Sequence, residues 1–257
     1  MKTYYECYPC FLRQALKSAQ LSGADDGQQY TILQRTLAGL QSFSPEATPP
    51  EIGYEIYQIV RDVAGSKDPY RQEKLTHTRQ ALALYPQLKE LVRQSSEPLK
   101  MAMRISIAGN IIDMAMKDHF DDLWETVERV AGQSFAIDDS DLLFQYLEKA
   151  DWLLYLADNA GETVFDRVFI EELTIPVIYV VKDAPILNDA LMDDAILAGL
   201  DGCASLISNG SQALGTILPL CSDEFMQKYH SAPVVIAKGQ ANYETLSDVG
   251  EKVFCLL

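Results

Sequence analysis

Four polar clusters, each directly following a short apolar run, carry the side chains best suited to chemistry. They are Asp158-Asn159-Ala160-Gly161-Glu162, Lys182-Asp183-Ala184-Pro185, Ser208-Asn209-Gly210-Ser211 and Lys238-Gly239-Gln240-Ala241-Asn242. The carboxylate of Asp158 and the amide of Asn159 put two hard oxygens side by side, and Asp189 lies just beyond the next apolar run. Such oxygens suit Mg²⁺ or Mn²⁺, which take about six oxygen ligands and keep several waters. Glycines let backbone N–H groups approach phosphate oxygens, and helix starts expected after Gly161 and Gly210 would add favourable dipoles. Lys182 and Lys238 are compact charges able to neutralise a phosphoryl group. The candidate substrate-binding set is therefore Gly161, Glu162, Asn188, Ser208, Asn209, Gly210, Lys238, Gly239 and Asn242. Each has a plainer alternative. Asn159 and Asn188 could be helix caps, each worth about 1 kcal/mol, and single lysines are usually solvated. Asp158, directly after WLLYLA, is harder to explain as a cap. The argument rests on convergence.

Convergence requires a particular architecture. The runs WLLYLA (152–157), PVIYVV (176–181), ASLI (204–207), PVVIA (233–237) and VFCLL (253–257) alternate with helical segments. Continuous apolar runs separated by helices describe a parallel sheet covered on both faces. In such sheets ligands bind outside the carboxyl ends of the strands, where these clusters fall. The first 150 residues read as helices, over 4–20, 27–41, 50–64, 70–94, 98–118, 120–131 and 139–150. Their apolar residues recur at three and four spacing, with Gly23, Pro45–Pro50, Gly65 and Pro69 as punctuation. The expected organisation is an all-helical subdomain over 1–150 and an α/β core over 151–257. Asn110 and Asp113, three apart on the helix from Pro98, share one face of it and are candidates to support the site.

Composition narrows the function further. A net charge of −16 opposes general binding to nucleic acid or anionic membranes, and any phosphate site must reverse that field locally. No run approaches the roughly 18 apolar residues of a membrane span, and no signal peptide precedes Glu6, so a cytoplasmic location is expected. The three histidines, His77, His119 and His230, form no H-x-x-x-H pair, which leaves a zinc hydrolase poorly supported. The five cysteines read as reduced thiols. Cys7-x-x-Cys10 admits packing of buried thiols in the first helix, an accessory metal or a redox dithiol.

Five segments resemble the DUF89 family of metal-dependent damage-control phosphatases, in its short prokaryotic-type branch. They are CYPCFLRQAL (7–16), AGNIID (108–113), DNAGE (158–162), PILNDA (185–190) and KGQANYE (238–244), in family order along nearly the whole chain. The resemblance implies a helical N-terminal part joined to a three-layer α/β/α core. It implies that Asp158, Asn159 and Asp189 hold a divalent ion (Mn²⁺, Mg²⁺, Co²⁺ or Ni²⁺) and that Lys238 contacts the substrate phosphate. Family members hydrolyse small phosphate esters, including sugar phosphates and damaged phosphometabolites. Lys182-Asp183 departs from the Arg-Gly more usual there, setting an extra carboxylate beside the expected phosphate site. Hydrolysis would proceed by metal-assisted attack of water. Asp158 as a nucleophile is the alternative, but Ala160 supplies no second acid of the Asp-x-Asp kind. Two other functions compete: a methyltransferase acting on carboxyl groups with S-adenosylmethionine, proposed for eukaryotic relatives, and a non-catalytic phosphometabolite-binding protein. One glycine in Asp158-Asn159-Ala160-Gly161 is a poor nucleotide-cofactor turn, and simple phosphate binding rarely needs three hard-ion ligands. Substrate, metal and oligomeric state are not fixed by the sequence.

Overall fold

The computed structural model describes residues 1–44, 46–65, 68–115 and 121–257, the side chains of 111–115 and 121–123 excepted. Seven helices come first: α1 (Cys7–Leu21), α2 (Asp26–Leu40), α3 (Pro49–Ala64), α4 (Arg71–Gln94), α5 (Pro98–Ala115), α6 (Asp121–Gly132) and α7 (Ser140–Lys149). Local chemistry sets several boundaries. Asp25 with Gln28, and Thr48 with Glu51, form reciprocal capping boxes, and Gly65 ends α3 at φ +69°.

The second half alternates, as β1 (Leu153–Leu156), α8 (Thr163–Ile170), β2 (Val177–Val181), α9 (Met192–Leu197), β3 (Ser205–Ser208), α10 (Asp223–Ser231), β4 (Val235–Lys238), α11 (Gly239–Leu246) and β5 (Val253–Leu256). All five apolar runs become strands of one sheet, in the order β3-β2-β1-β4-β5, with every neighbouring pair parallel. The chain leaves β1 toward β2 and β3, then returns to β4 on the other side. That reversal opens a crevice between the carboxyl ends of β1 and β4.

Alternation along the strands sorts side chains into two layers. Leu153, Tyr155, Val177, Tyr179, Val181, Val234 and Ile236 pack with α8, α5 and α4. Leu154, Leu156, Val180, Val235 and Ala237 pack with Phe225 and Tyr229 of α10 and Leu246 of α11. The α/β fold with its three layers is thus as expected. The hydrophobic cores divide elsewhere than residue 150. Helices α1 to α3 share a cluster around Phe11, Ile32, Ile52 and Ile56, whereas residues of α4, α5, α6 and α7 join the cluster on the sheet. The expected end of the fifth helix near Asp118 lies outside the described residues.

Phe169 of α8 is fully buried and meets Tyr155 edge-on, with ring centroids 6.5 Å apart. Phe169→Ala is expected to cost about 3–5 kcal/mol, read from the midpoint shift of urea unfolding.

Candidate active site

Strand parity decides where Lys238 goes. It follows Val234 and Ile236, so its side chain enters the layer of α5 and α8 rather than the solvent. There it is fully buried. Its Nζ donates to Asp166 Oδ1 at 2.7 Å, to the Ser106 carbonyl at 2.9 Å and to Glu162 Oε2 at 3.1 Å. Asp166 also accepts from Ser106 Oγ and the Tyr155 hydroxyl, both at 2.8 Å, and from the Tyr179 hydroxyl at 2.7 Å. The two tyrosines are register partners on β1 and β2 and stack 5.3 Å apart. Burial alone would lower the Lys238 pKa, but Asp166 and Glu162 outweigh it and hold the ammonium above its ordinary value.

A second device brings Asp189 to the end of β1. The segment after β2 folds back and pairs antiparallel with the β1 loop. Ala160 N donates to the Asn188 carbonyl at 2.9 Å and Ala190 N to the Asp158 carbonyl at 2.8 Å, making Asn159 and Asp189 partners in an isolated bridge. Leu187 turns this segment with a left-handed φ of +44°, a conformation that costs a branched residue of order 1 kcal/mol or more. Lys182 Nζ lies 3.7 Å from Asp189 Oδ2 and donates to the Gly215 carbonyl.

The third contact is steric. Gly239 opens α11 at φ +80°, and a Cβ there would stand 1.8 Å from Asp158 Oδ2. Only glycine lets the start of α11 lie against this carboxylate. Asn159 Nδ2 donates to Asp158 Oδ2 at 3.2 Å and to Glu162 Oε1 at 2.6 Å. Its nitrogen faces acceptors, so its oxygen is the atom left for a ligand.

The electrostatics have a sign. Asp158, Glu162, Asp166 and Asp189 gather around two lysines, Lys182 and Lys238. Burial pushes the Asp158 carboxyl well above the usual carboxylate range. Glu162 and Asp189 push it further, and the two lysines do not restore it. Glu162 is raised to about 7, chiefly by burial with Asp166 adding, against the pull of Lys238 and Asn159. An excess of buried negative charge with oxygen donors at its rim fits a hard divalent cation. No three His, Cys, Asp or Glu side chains form a metal cluster among the described residues; the oxygens brought together by the bridge come from two carboxylates and an amide.

The structure gathers Asp158, Asn159, Glu162, Asp189, Lys238 and Gly239 and gives other expected residues different work. Asn159 begins the short turn before α8, but its side chain makes no cap bond there. Gly161 packs against His77 of α4, where a Cβ would come within 3.0 Å of the His77 Cβ. Asn242 is an internal staple rather than a substrate ligand. Its Nδ2 donates to the carbonyls of Ala157 and Lys238 and its Oδ1 accepts from Thr216, at 3.1, 2.8 and 2.8 Å. No helix starts after Gly210. Asn209 Oδ1 instead accepts Ser211 N at 2.9 Å, and Gly210 at φ +72° lies against Ser222, the cap of α10. Ser208 donates to the exposed Asp183 at 3.0 Å, so that carboxylate is engaged with β3. Asn188 contributes its carbonyl to the bridge. Asn110 is half-buried on α5, and the side chain of Asp113 lies outside the described residues. Cys7 packs on the α1–α3 cluster, whereas Cys10 is exposed, so the packing explanation holds for Cys7 alone.

Sequence reasoning missed Asp166, Ser106, Tyr155 and Tyr179. A signal was present: a tyrosine inside each of two apolar runs needs a hydroxyl partner, and Asp166 is an acid among the apolar residues of VFDRVFI.

Comparison with known proteins matches residues 3–257 to the damage-control phosphatase ARMT1-like domain. A damage-control phosphatase of Pyrococcus horikoshii is 33% identical over 263 residues, covering 100% of this chain and 91% of that one. A damage-control phosphatase of Archaeoglobus fulgidus is 30% identical over 265 residues, with the same coverage of 100% and 91%. The crystal structure of a DUF89 family protein from P. horikoshii is similar with a TM-score of 0.91 at 32% identity, over 99% of this chain and 90% of that one.

Two outcomes test this geometry. Gly239→Ala must displace Asp158 or the start of α11, and is expected to destabilise the fold by about 1–3 kcal/mol in urea titrations. Glu162 gives a pH dependence. Its folded pKa, about 7, exceeds the ordinary value of 4.5. Its stabilising contribution is therefore complete below 4.5 and lost as pH rises through about 7. Unfolding free energy measured with chelator present should fall from about pH 5 to pH 8, and fall less steeply in Glu162→Gln. Parallel profiles would refute this account of Glu162.

Proposed function

This chain belongs to the damage-control phosphatase ARMT1-like family, also described as DUF89, and from that premise we propose that it is a metal-dependent phosphomonoester hydrolase of small phosphorylated metabolites. Phosphatase function in general rests on the names of two relatives. The metal, the substrate class and the residue roles are the proposal. One observation carries it: the isolated bridge that sets Asp158 and Asn159 beside Asp189, in the crevice between β1 and β4, amid excess negative charge.

Asp158, Asn159 and Asp189 would hold the ion, which could be Mn²⁺, Mg²⁺, Co²⁺ or Ni²⁺ in a set of hard oxygens. A bound divalent ion would supply charge neutralisation at the phosphoryl oxygens and a means of orienting water. The protein's own groups have separate tasks. The start of α11 at Gly239 offers backbone N–H groups and a positive dipole end to a phosphoryl oxygen. Lys182 places a second cation beside Asp189. Lys238, with three internal acceptors, gives up one of them if it is to contact phosphate, and otherwise acts as a fixed charge beneath Glu162. Asp158 Oδ2, held by Asn159 and crowded by Gly239, is better placed as a ligand than as a nucleophile. Attack by water is accordingly favoured over an aspartyl-phosphate.

The test is phosphate release from p-nitrophenyl phosphate by chelator-stripped protein before and after adding each ion. Activity is expected only with metal, and to fall by on the order of 100-fold or more in Asp158→Ala and Asp189→Ala. Turnover without metal, or turnover surviving both substitutions, would displace the site. Binding of phosphate esters without turnover would favour the non-catalytic alternative.

A further inference from the structure

Nothing in the phosphatase reading uses Cys7 or Cys10, and the fold treats the two differently. Helix α1 begins at Cys7, so the cysteines stand at its first and fourth positions. Residues three apart share a helix face, and ideal helix geometry sets their Cα atoms roughly 5 Å apart, inside the span of roughly 4.4–6.8 Å that a disulfide bridges. The first turn is also where a helix can adjust, because its leading N–H groups have no helical acceptor. Cys7 N and Tyr8 N donate instead to the Tyr4 and Tyr5 carbonyls, at 3.1 and 3.2 Å. Pro9, between the cysteines, has no N–H to lose there and fixes its own φ.

Cys10 is exposed, whereas Cys7 is half-buried with its side chain on the α1–α3 cluster. Thiol–disulfide exchange uses such an inequality: an accessible sulfur attacks, and a neighbour held back completes the bond. The other cysteines are placed otherwise. Cys203, Cys221 and Cys255 are half-buried, and chiefly burial pushes each thiol up to about 11, which keeps the nucleophilic thiolate scarce. A structural zinc site takes four ligands, and among the described residues no group of three His, Cys, Asp or Glu able to hold a metal includes this pair. Residues 1–6, all described, contain no strand, so the strand-to-helix setting of a thioredoxin-type oxidoreductase is missing.

We propose that Cys7 and Cys10 form a reversible disulfide by exchange with a low-molecular-weight disulfide, so that the start of α1 is a redox modification site of the chain itself. The Cys10 thiolate attacks one sulfur of R–S–S–R, forming Cys10–S–S–R and releasing RS⁻. The Cys7 thiolate then attacks the Cys10 sulfur, the bond to R breaks, and a second RS⁻ leaves. The two cysteine protons pass through solvent to the released thiolates. The chain thus loses two electrons and two protons, and R–S–S–R becomes two RSH. A dithiol reductant runs the same steps backwards.

No Lys or Arg lies between Lys2 and Arg13, so the tryptic peptide 3–13 carries both cysteines. The native full chain is incubated with excess oxidised glutathione, denatured, treated with N-ethylmaleimide and analysed by mass spectrometry, intact and as peptides. The reduced protein should take five maleimides and the oxidised protein three, with peptide 3–13 lighter by two hydrogens until dithiothreitol restores it. Cys7→Ser should hold glutathione on Cys10 at least about tenfold more than Cys10→Ser holds it on Cys7. Five maleimides on glutathione-treated wild type would overturn the proposal, as would a disulfide between chains or among Cys203, Cys221 and Cys255. Equal glutathione on the two variants would remove Cys10 as the attacking sulfur and with it the proposed exchange. Zinc bound to reduced wild type and lost from both variants would replace the redox role with a metal site.

Discussion

A fully buried ammonium between two buried carboxylates is the constraint on which the rest of this molecule depends. Lys238 cannot be left alone in the interior, since removing one member of a buried ion pair typically costs about 3–5 kcal/mol. Its partners come from separate parts of the chain: Ser106 from α5, Glu162 from the turn before α8, and Asp166 from α8 itself. Satisfying one side chain therefore fixes two helices against β4. Asp166 is in turn fixed by hydroxyls from β1, β2 and α5, so the network spans three neighbouring strands and the layer above them. The same interaction holds Glu162 where it accepts from Asn159, linking the structural charge cluster to the half-buried rim of the crevice.

Much of this was legible in the residue pattern, for identifiable reasons. The five apolar runs became five parallel strands, as their short length, their apolar content and the helical segments between them suit a covered parallel sheet. Asp158 falls at the edge of the sheet because it follows β1 directly, whatever the details of packing. What the pattern did not reveal depends on parity and on long-range pairing. Lys238 read as a loop lysine, but it is the last residue of β4, and the alternation of Val234 and Ile236 turns it inward. Asn242 looked like a ligand because it follows Lys238-Gly239; one helical turn on, it instead closes the backbone of β1 and β4. The bridge between Asn159 and Asp189 has no local signal, since it joins two loops and includes a left-handed leucine that propensity would disfavour.

The boundary at residue 150 shows how chain grammar and physical unity can part company. Helical periodicity ends there and strand-like runs begin, so the sequence divides cleanly. The hydrophobic contacts do not. Ala81, Leu84 and Leu88 of α4 and Met103, Ile105 and Ile107 of α5 lie in the same cluster as Tyr155, Phe169 and Tyr179. These two helices cover one face of the sheet, the role that crossover helices normally fill in a doubly wound fold. Only α1 to α3 keep a core of their own, and they reach the α/β layer where α3 faces the Ile186–Leu187 turn.

That arrangement explains how a strongly acidic protein can be suited to an anionic substrate. A net charge of −16 cannot be offset everywhere, and 21 basic residues do not suffice. At the crevice the problem is solved locally, by burial rather than by number. Lys182 and Lys238 are withdrawn from water, where screening would weaken them, and set among carboxylates, of which Asp166 and Glu162 keep Lys238 charged. The carboxylates then outnumber the lysines, and the surplus lies at the rim where Asp158 and Asp189 meet. A dication there would reverse the sign that a phosphate oxygen encounters without any change in the surrounding surface. In the proposed reading that surplus would hold the cation and the start of α11 would add attraction through its backbone, while position 239 requires glycine because a Cβ there would stand 1.8 Å from Asp158 Oδ2.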